Sequence, residues 1–298
     1  MSDKQTPPPL PEPLRVPVTD SHTHLDMLPP GPASGSREAD AVRDALAAAA
    51  SVGVHRVVQV GCDLAGSRWA AETAAAHESV WAAVALHPNE APRIVHGDPA
   101  GWSRQGVREA GGTAALDAAL AEIDALAALP RVRAVGETGL DFFRTGPEGV
   151  AAQELSFRRH IDIAKRHGKA LVIHDREAHD DVLRVLAEEG APDRVVFHCF
   201  SGGPELAKAC ADRGFYMSFA GNVTFKNAQP LRDALAVAPP ELLLVETDAP
   251  FLTPAPYRGR PNASYLIPYT LRAMAEVKGM DEDTLATRIE TNTLHAFD

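Results

Sequence analysis

Six residues of metal-binding type fall where short apolar runs of the chain end. His22 and His24 follow Val16 and Val18. In a strand, alternate side chains share a face, so these two imidazoles project together and suit one shared ion. Glu137, His174, His198 and Asp248 close four further runs, and His87 closes another in Leu86-His87-Pro88. One His-x-His alone carries little weight; the repetition is what gives it meaning. A natural division puts His22, His24 and Asp248 on one ion and His174 and His198 on a second, with Glu137 bridging. Mixed imidazole and carboxylate ligation suits Zn, Mn, Ni or Fe, and carboxylates with water also admit Mg. The expected cofactor is therefore two divalent metal ions, with Mg, Mn or Zn as the candidates. Such a pair stabilises the attacking and leaving oxygens of a displacement at phosphorus and makes hydroxide available near neutral pH. Asp248 can also take the proton of the attacking water. Glu246 lies two residues earlier on the same strand face, one layer deeper, and is expected to support the ligands by hydrogen bonding.

Eight elements must bring these groups together. After the first run, the strand candidates are His55–Val60, Val80–Leu86, Val132–Gly136, Ala170–Ile173, Val195–Phe197, Phe215–Phe219 and Leu242–Val245. Most are almost continuously hydrophobic, as parallel strands covered on both faces should be. Between them lie helical stretches: Arg37–Val52, Ser67–His77, Ala114–Leu129, Ala151–His167, Glu177–Glu189, Pro204–Arg213, Ala228–Val237 and Tyr265–Lys278, with a last helix near Thr284–Thr291. Glycine or proline follows several of these stretches, the expected stop signal. Strand and helix alternate eight times, the signature of an α/β fold of the (β/α)8 TIM-barrel type, taken as a single domain over residues 16–298. No glycine-rich dinucleotide loop follows the first strand, which weakens a doubly wound sheet. In a barrel, residues at the C-terminal strand ends are the ones that do chemistry. His77, His160, His167, His179 and His295 lie on helices or near their ends and are expected at the surface. The stretch Gly97–Thr113 reads as an insertion, and the proline-rich residues 1–15 as a disordered tail.

Composition narrows the partners. A net charge of −11 argues against a broad basic surface for duplex nucleic acid, though not against a small anion held in one cleft. The three cysteines have no CxxC spacing, and no apolar run approaches the roughly 18 residues of a membrane helix. A cytoplasmic protein with reduced thiols, no membrane and no stable protein partner is expected. Arg176, Lys226, Arg258 and Arg260 follow strand candidates and could meet phosphate oxygens. Ser201, with Gly202 and Gly203 before a helix, could offer backbone N–H groups to an anion. Phe142, Phe143, Tyr257 and Tyr265 could stack a base, but aromatics are 6% of the chain, too few for a long single-strand track.

The longer motifs are more specific. His22-Thr23-His24, Gly136-Glu137-Thr138-Gly139-Leu140-Asp141, His198-Cys199-Phe200-Ser201-Gly202 and Glu246-Thr247-Asp248-Ala249-Pro250 together resemble the signatures of the TatD family of metal-dependent hydrolases, within the amidohydrolase-like superfamily. Leu86-His87-Pro88, Thr224-Phe225-Lys226-Asn227-Ala228 and Arg258-Gly259-Arg260-Pro261-Asn262 resemble it too, so the likeness runs from about Val18 to the end. It implies a TIM barrel with two metals and deoxyribonuclease activity of the 3′–5′ exonuclease type on DNA ends or short single strands. By motif match His22, His24, Glu137, His174, His198 and Asp248 take the metal-site roles. Glu137, Asp248 and His87 are the catalytic candidates. The family often continues the Arg258–Asn262 motif with Glu-Pro, where this chain has Ala263-Ser264. Many barrels acting on carboxylic substrates bridge their metals with a carbamylated lysine; Glu137 in that place favours the TatD reading. The rival readings are an esterase or amidohydrolase on the same barrel, an aminoacyl-tRNA ester being one substrate, and a non-catalytic metal or nucleic-acid binding protein.

Overall fold

The computed structural model describes residues 6–27, 38–97 and 109–298. Its strands are β1 (Val18–Thr23), β2 (Val54–Gly61), β3 (Val80–Val84), β4 (Val132–Asp141), β5 (Ala170–Arg176), β6 (Val195–Phe197), β7 (Tyr216–Phe219) and β8 (Leu243–Val245). The described helices are α1 (Glu38–Ser51), α2 (Leu64–Ala76), α3 (Glu90–His96), α4 (Gly112–Ala127), α5 (Pro147–His167), α6 (His179–Glu189), α7 (Pro204–Ala211), α8 (Gln229–Val237), α9 (Ile267–Lys278) and α10 (Glu282–Phe297). All eight strands form one sheet in the order of the sequence. The chain leaving β8 meets β1 again: Asp248 N donates to His22 O and His24 N to Ala249 O, each at 2.9 Å. This is the (β/α)8 barrel that the strand–helix alternation predicts. No described helix is long and apolar enough to cross a membrane.

The chain groups into two compact units, one of Met1–Gln59, His77–Trp81 and His198–Ala296, the other of Val60–Ala76, Ala82–Phe197 and Phe297–Asp298. The core of the first includes Val18, Val57, Met217, Phe219, Leu244, Leu271 and Ile289, all at most 1% exposed. The core of the second includes Val84, Leu116, Ile123, Phe157, Ile161 and Leu171, all at most 1% exposed. Burying each such side chain stabilises by about 1.5–3 kcal/mol, and strands built of them can be covered on both faces.

Among the departures from regular pairing, two fall beside residues of metal-binding type. From Asp20↔Val57 to Thr23↔Gln59, β1 advances three residues while β2 advances two. From Val135↔Leu171 to Thr138↔Ile173, β4 likewise gains one residue on β5. An extra residue of this kind bends a strand and re-aims a side chain. In β4 the irregularity needs glycine. A Cβ on Gly136 would lie 2.5 Å from Val172 Cβ, and one on Gly139 would lie 2.1 Å from His174 O. Only bare backbone lets β4 run this close to β5 on either side of Glu137.

Some expectations need correction. His160 is not at the surface; it is fully buried on α5. Its Nδ1 donates to Ser156 O at 2.7 Å, and its Nε2 accepts from Leu86 N at 3.1 Å. Burial pushes its pKa down to about 4, so it is a neutral wedge between α5 and the end of β3. The tail expected to be disordered is tied down over part of its length. Tyr265 Oη donates to Pro8 O at 2.8 Å, Leu14 N to Val52 O at 3.0 Å and Arg272 to Glu12 O at 3.0 Å. Pro8, Pro11 and Leu14 are buried: proline fixes the extended backbone and their apolar faces supply the contact. Of the Gly97–Thr113 insertion, residues 98–108 lie outside the described residues. The seven-residue α3 before it was not expected, being too short for a clear helical period.

Asp20 joins β1 to the chain beyond β8. It accepts from Thr247 Oγ1 at 2.6 Å, Thr247 N at 2.9 Å and His22 N at 3.3 Å. Burial pushes its pKa up to about 7 despite these bonds. A carboxyl with a raised pKa in the folded state adds stability below its unfolded value, near 3.8, and loses it as pH rises through about 7. In chelator, the thermal midpoint of Asp20→Asn relative to the unaltered protein should therefore rise by several degrees between pH 5 and pH 8. A pH-independent difference would show that Asp20 is ionised throughout.

Candidate metal centre

In the first unit, β1 carries His22, His24 directly follows its end, and the turn after β8 carries Asp248. His22 and His24 are at most 3% exposed. Their Nε2 atoms are 3.3 Å apart, and Asp248 Oδ1 is 3.8 Å from the first and 3.5 Å from the second. Ligand atoms about 2.1 Å from one ion are separated by roughly 3.0–3.4 Å in octahedral or tetrahedral geometry. The triangle is thus close to the spacing that one ion needs, with His22 set by β1 and His24 by its main-chain bond to Ala249. Burial pushes the Asp248 carboxyl up, but the hydrogen bond from His24 and the charges of His22, His198 and His24 outweigh it, so the pKa falls. Asp248 has φ of +52°, a strained conformation for a side-chain-bearing residue.

His198 follows β6 and lies stacked on His22, ring centroids 3.9 Å apart. Glu246 Oε1, fully buried, lies 3.2 Å from His198 Nδ1 and accepts from Cys199 N at 2.9 Å. A carboxylate at Nδ1 holds the proton there and makes Nε2 the basic, ligand-type nitrogen.

In the second unit, the ligand atoms of His87, Glu137 and His174 lie within 4.8 Å of one another. His174 Nδ1 is 2.6 Å from Glu137 Oε1, and its Nε2 is 3.2 Å from Asp141 Oδ2. The His174 neighbourhood therefore contains His87 and Asp141, which the division by sequence did not pair with it. Asp141 is itself held by Asn89 Nδ2 at 3.0 Å and Arg144 N at 2.9 Å. Burial pushes Asp141 up, but the bonds from His174, Asn89 and Arg144 win and hold it well below the usual carboxylate range. His87 differs from the other imidazoles. Its Nδ1 accepts from Asn89 N at 3.0 Å, so in the neutral ring the proton sits on Nε2, 3.4 Å from Glu137 Oε1. Burial lowers its pKa against the pull of Glu137, which favours that neutral ring. His87 is thus arranged to donate a hydrogen bond rather than to ligate. Cys62 Sγ also reaches Glu137, at 3.7 Å from Oε2.

These strand-end groups belong to a chain whose residues 19–298 match the family model described as TatD related DNase. The chain belongs to the TatD family. It is 44% identical over 284 residues to a metal-dependent hydrolase named TatD from Mycobacterium tuberculosis, covering 94% of this chain and 97% of the relative. It is 35% identical over 281 residues to the metal-dependent hydrolase YcfH of Escherichia coli strain K12, covering 94% and 95%. The solved structure of YjjV, a TatD homologue from Escherichia coli, shares the fold with a TM-score of 0.79 at 24% identity, over 94% of this chain and 97% of that one. As a member of the TatD family the chain is a metal-dependent hydrolase, and its His, Glu and Asp clusters are able to bind metal ions.

The candidate phosphate-contact residues of this TatD chain are placed as follows. Arg176 ends β5, its guanidinium 3.9 Å from the Phe143 ring centre. Arg258 lies 4.3 Å over Phe225 and Arg260 5.5 Å from Tyr257. Lys226 and Ser201 are exposed on the loops after β7 and β6. Sequence reasoning gave Asp141 no role although it stands four residues after Glu137, and passed over Cys62, which directly follows β2.

Asp141 is a positioning residue for His174. With Asp141→Asn, metal affinity at the Glu137–His174 set should fall about 10- to 100-fold while the His22–His24–Asp248 set keeps its own. Competition with a chromogenic chelator on Mn- or Zn-loaded protein measures both. Unchanged affinity would reduce Asp141 to a fold contact.

Proposed function

We propose that the chain is a divalent-metal phosphodiesterase of the cytoplasm, a deoxyribonuclease that removes nucleotides from 3′ ends of DNA and from short single strands. The observation that carries this reading is the His22–His24–Asp248 triangle at the strand ends of a TatD-family barrel. Two ions are assigned, Mg, Mn or Zn. His22, His24 and Asp248 would hold one, Glu137 and His174 the other, and His198 adds a further ligand-type nitrogen. Bound ions of this kind neutralise phosphate oxygens and acidify water. Asp248 is the base that takes the water's proton, kept ionised by the imidazoles around it. His87 presents its Nε2–H as a fixed donor beside Glu137. Arg176, Arg258, Arg260, Lys226 and Ser201 contact phosphates further along the strand. In an acidic protein, so few cations favour a short contact at a DNA end over a long duplex footprint.

Metal analysis of Mn-loaded protein should show His22→Ala/His24→Ala losing one ion per chain. A 5′-labelled single-stranded oligonucleotide should yield a ladder shortened from its 3′ end, stopped by a blocked 3′ terminus, while closed circular DNA stays intact. Rapid nicking of circles, or turnover confined to carboxylic ester substrates, would overturn the reading.

Glu137→Gln keeps the size of the side chain and one carbonyl oxygen but removes the charge. Turnover should fall on the order of 10²–10³-fold with the thermal midpoint of the metal-free protein little changed. A folded Glu137→Gln protein with full metal content and normal turnover would remove Glu137 from the centre.

A further inference from the structure

The turn after β8 carries an aromatic ring that neither the metal chemistry nor the core uses. Phe251 is 49% exposed, and its ring centre lies 6.4 Å from that of His24, in an edge-on arrangement. Exposing a phenylalanine forfeits about 1.5–3 kcal/mol of burial, which a free loop could recover by turning the ring inward. This loop is not free to do so. Phe251 N donates to Asp248 O at 2.9 Å, and Phe251 O accepts from Asn262 Nδ2. The same Asn262 amide donates to Thr247 O at 2.9 Å, and Asn262 is 4% exposed. Beyond the ring, Leu252 O packs so tightly on Gly221 that a Cβ there would lie 2.1 Å away. Ala255 N donates to Thr224 Oγ1 at 2.8 Å. The ring is therefore fixed at the surface by its own backbone. Phe143, the other exposed large aromatic among the described residues, already carries the Arg176 guanidinium on its face.

We infer that Phe251 is a stacking platform for the nucleobase of the nucleotide whose phosphate is cleaved. This rests on the phosphodiesterase reading and adds what it lacks, a contact to the base. The chemistry is that of a π face, which any base can cover, so the preference conferred is for a base-bearing terminal nucleotide over an abasic one, with little choice among the four bases. The ring stands next to a metal ligand, so base and phosphate of one nucleotide would be engaged together, with only the sugar between them. Phe251 does no bond-making; its contribution is to binding and register.

The test uses Mn-loaded protein and two single-stranded oligonucleotides, identical except that one ends in a 3′ abasic residue. Phe251→Ala should raise KM on the base-ended oligonucleotide roughly tenfold to hundredfold, with kcat falling far less. It should change KM on the abasic-ended one by no more than about twofold, and Phe251→Tyr should restore the unaltered behaviour. Equal losses on both substrates, or no loss on either, would overturn the platform. A second measurement does not depend on DNA cleavage. In Phe251→Trp, the added indole fluorescence should be quenched by dAMP and not by deoxyribose 5-phosphate. Quenching without oligonucleotide cleavage would sustain the platform and sink the deoxyribonuclease reading. Cleavage without selective quenching would sink the platform alone.

Discussion

The first ligand set depends on one buried carboxyl. Asp20 has no contact with solvent and sits where β1 meets the chain leaving β8. By accepting from Thr247 Oγ1, Thr247 N and His22 N, it ties the strand that carries His22 and leads into His24 to the turn that carries Asp248. A buried donor left without an acceptor costs about 1–3 kcal/mol. Next to it, the main-chain bond from Asp248 N to His22 O sets the register between the two ends. The spacing of Nε2, Nε2 and Oδ1 follows from that register. Asp20 contributes no atom to the triangle, but its bonds reinforce the register that brings the three atoms together.

The same logic recurs one layer out. His198 is oriented by Glu246 and His174 by Asp141. In each case a buried or nearly buried carboxylate faces one ring nitrogen and so decides which nitrogen faces the site. His87 is oriented by a backbone N–H at Nδ1 instead, which puts its proton on Nε2, the opposite of His198 but the same nitrogen that Asp141 faces on His174. A donor aimed at Nδ1 and an acceptor aimed at Nδ1 produce two chemically different imidazoles from one residue type.

The barrel and the ligand types were legible in the sequence because both are written locally. A parallel strand is a short continuous apolar run, and a strand-end ligand is a polar residue that stops it. The places of His22, His24, His198 and Asp248 beside apolar runs needed no more than that, but β4 runs on to Asp141 and β5 to Arg176, so Glu137 and His174 lie inside their strands and do not stop them. What was not legible depends on partners distant in sequence. His160 sits on a helix among charged residues, and only its bonds to Leu86 and Ser156 explain its burial. Asp141 looks like a turn residue until His174, 33 positions later, is placed beside it. The proline-rich start reads as disorder by composition, yet Tyr265 and Arg272 bind its carbonyls from the other end of the chain. Phe251 was passed over because exposure, not residue type, is what makes it notable.

Charge closes the account of how an acidic chain can handle an anion. The ligand sets concentrate carboxylates, and the whole chain carries −11. An approaching phosphate would be repelled by such a surface unless cations stood at the point of contact. The Asp248 and Glu137 sets, made of imidazoles and carboxylates with the Cys62 thiol beside Glu137, are able to recruit divalent ions at close range. Further out, Arg176, Arg258 and Arg260 each lie against an aromatic ring. Stacking on a ring restrains a guanidinium, so less rotamer freedom is lost when an anion arrives. A few restrained arginines can therefore do what a broad basic surface would do elsewhere. Under the proposed deoxyribonuclease reading, recognition would be confined to the nucleotides nearest the bound ions, where an aromatic ring such as Phe251 has the greatest effect.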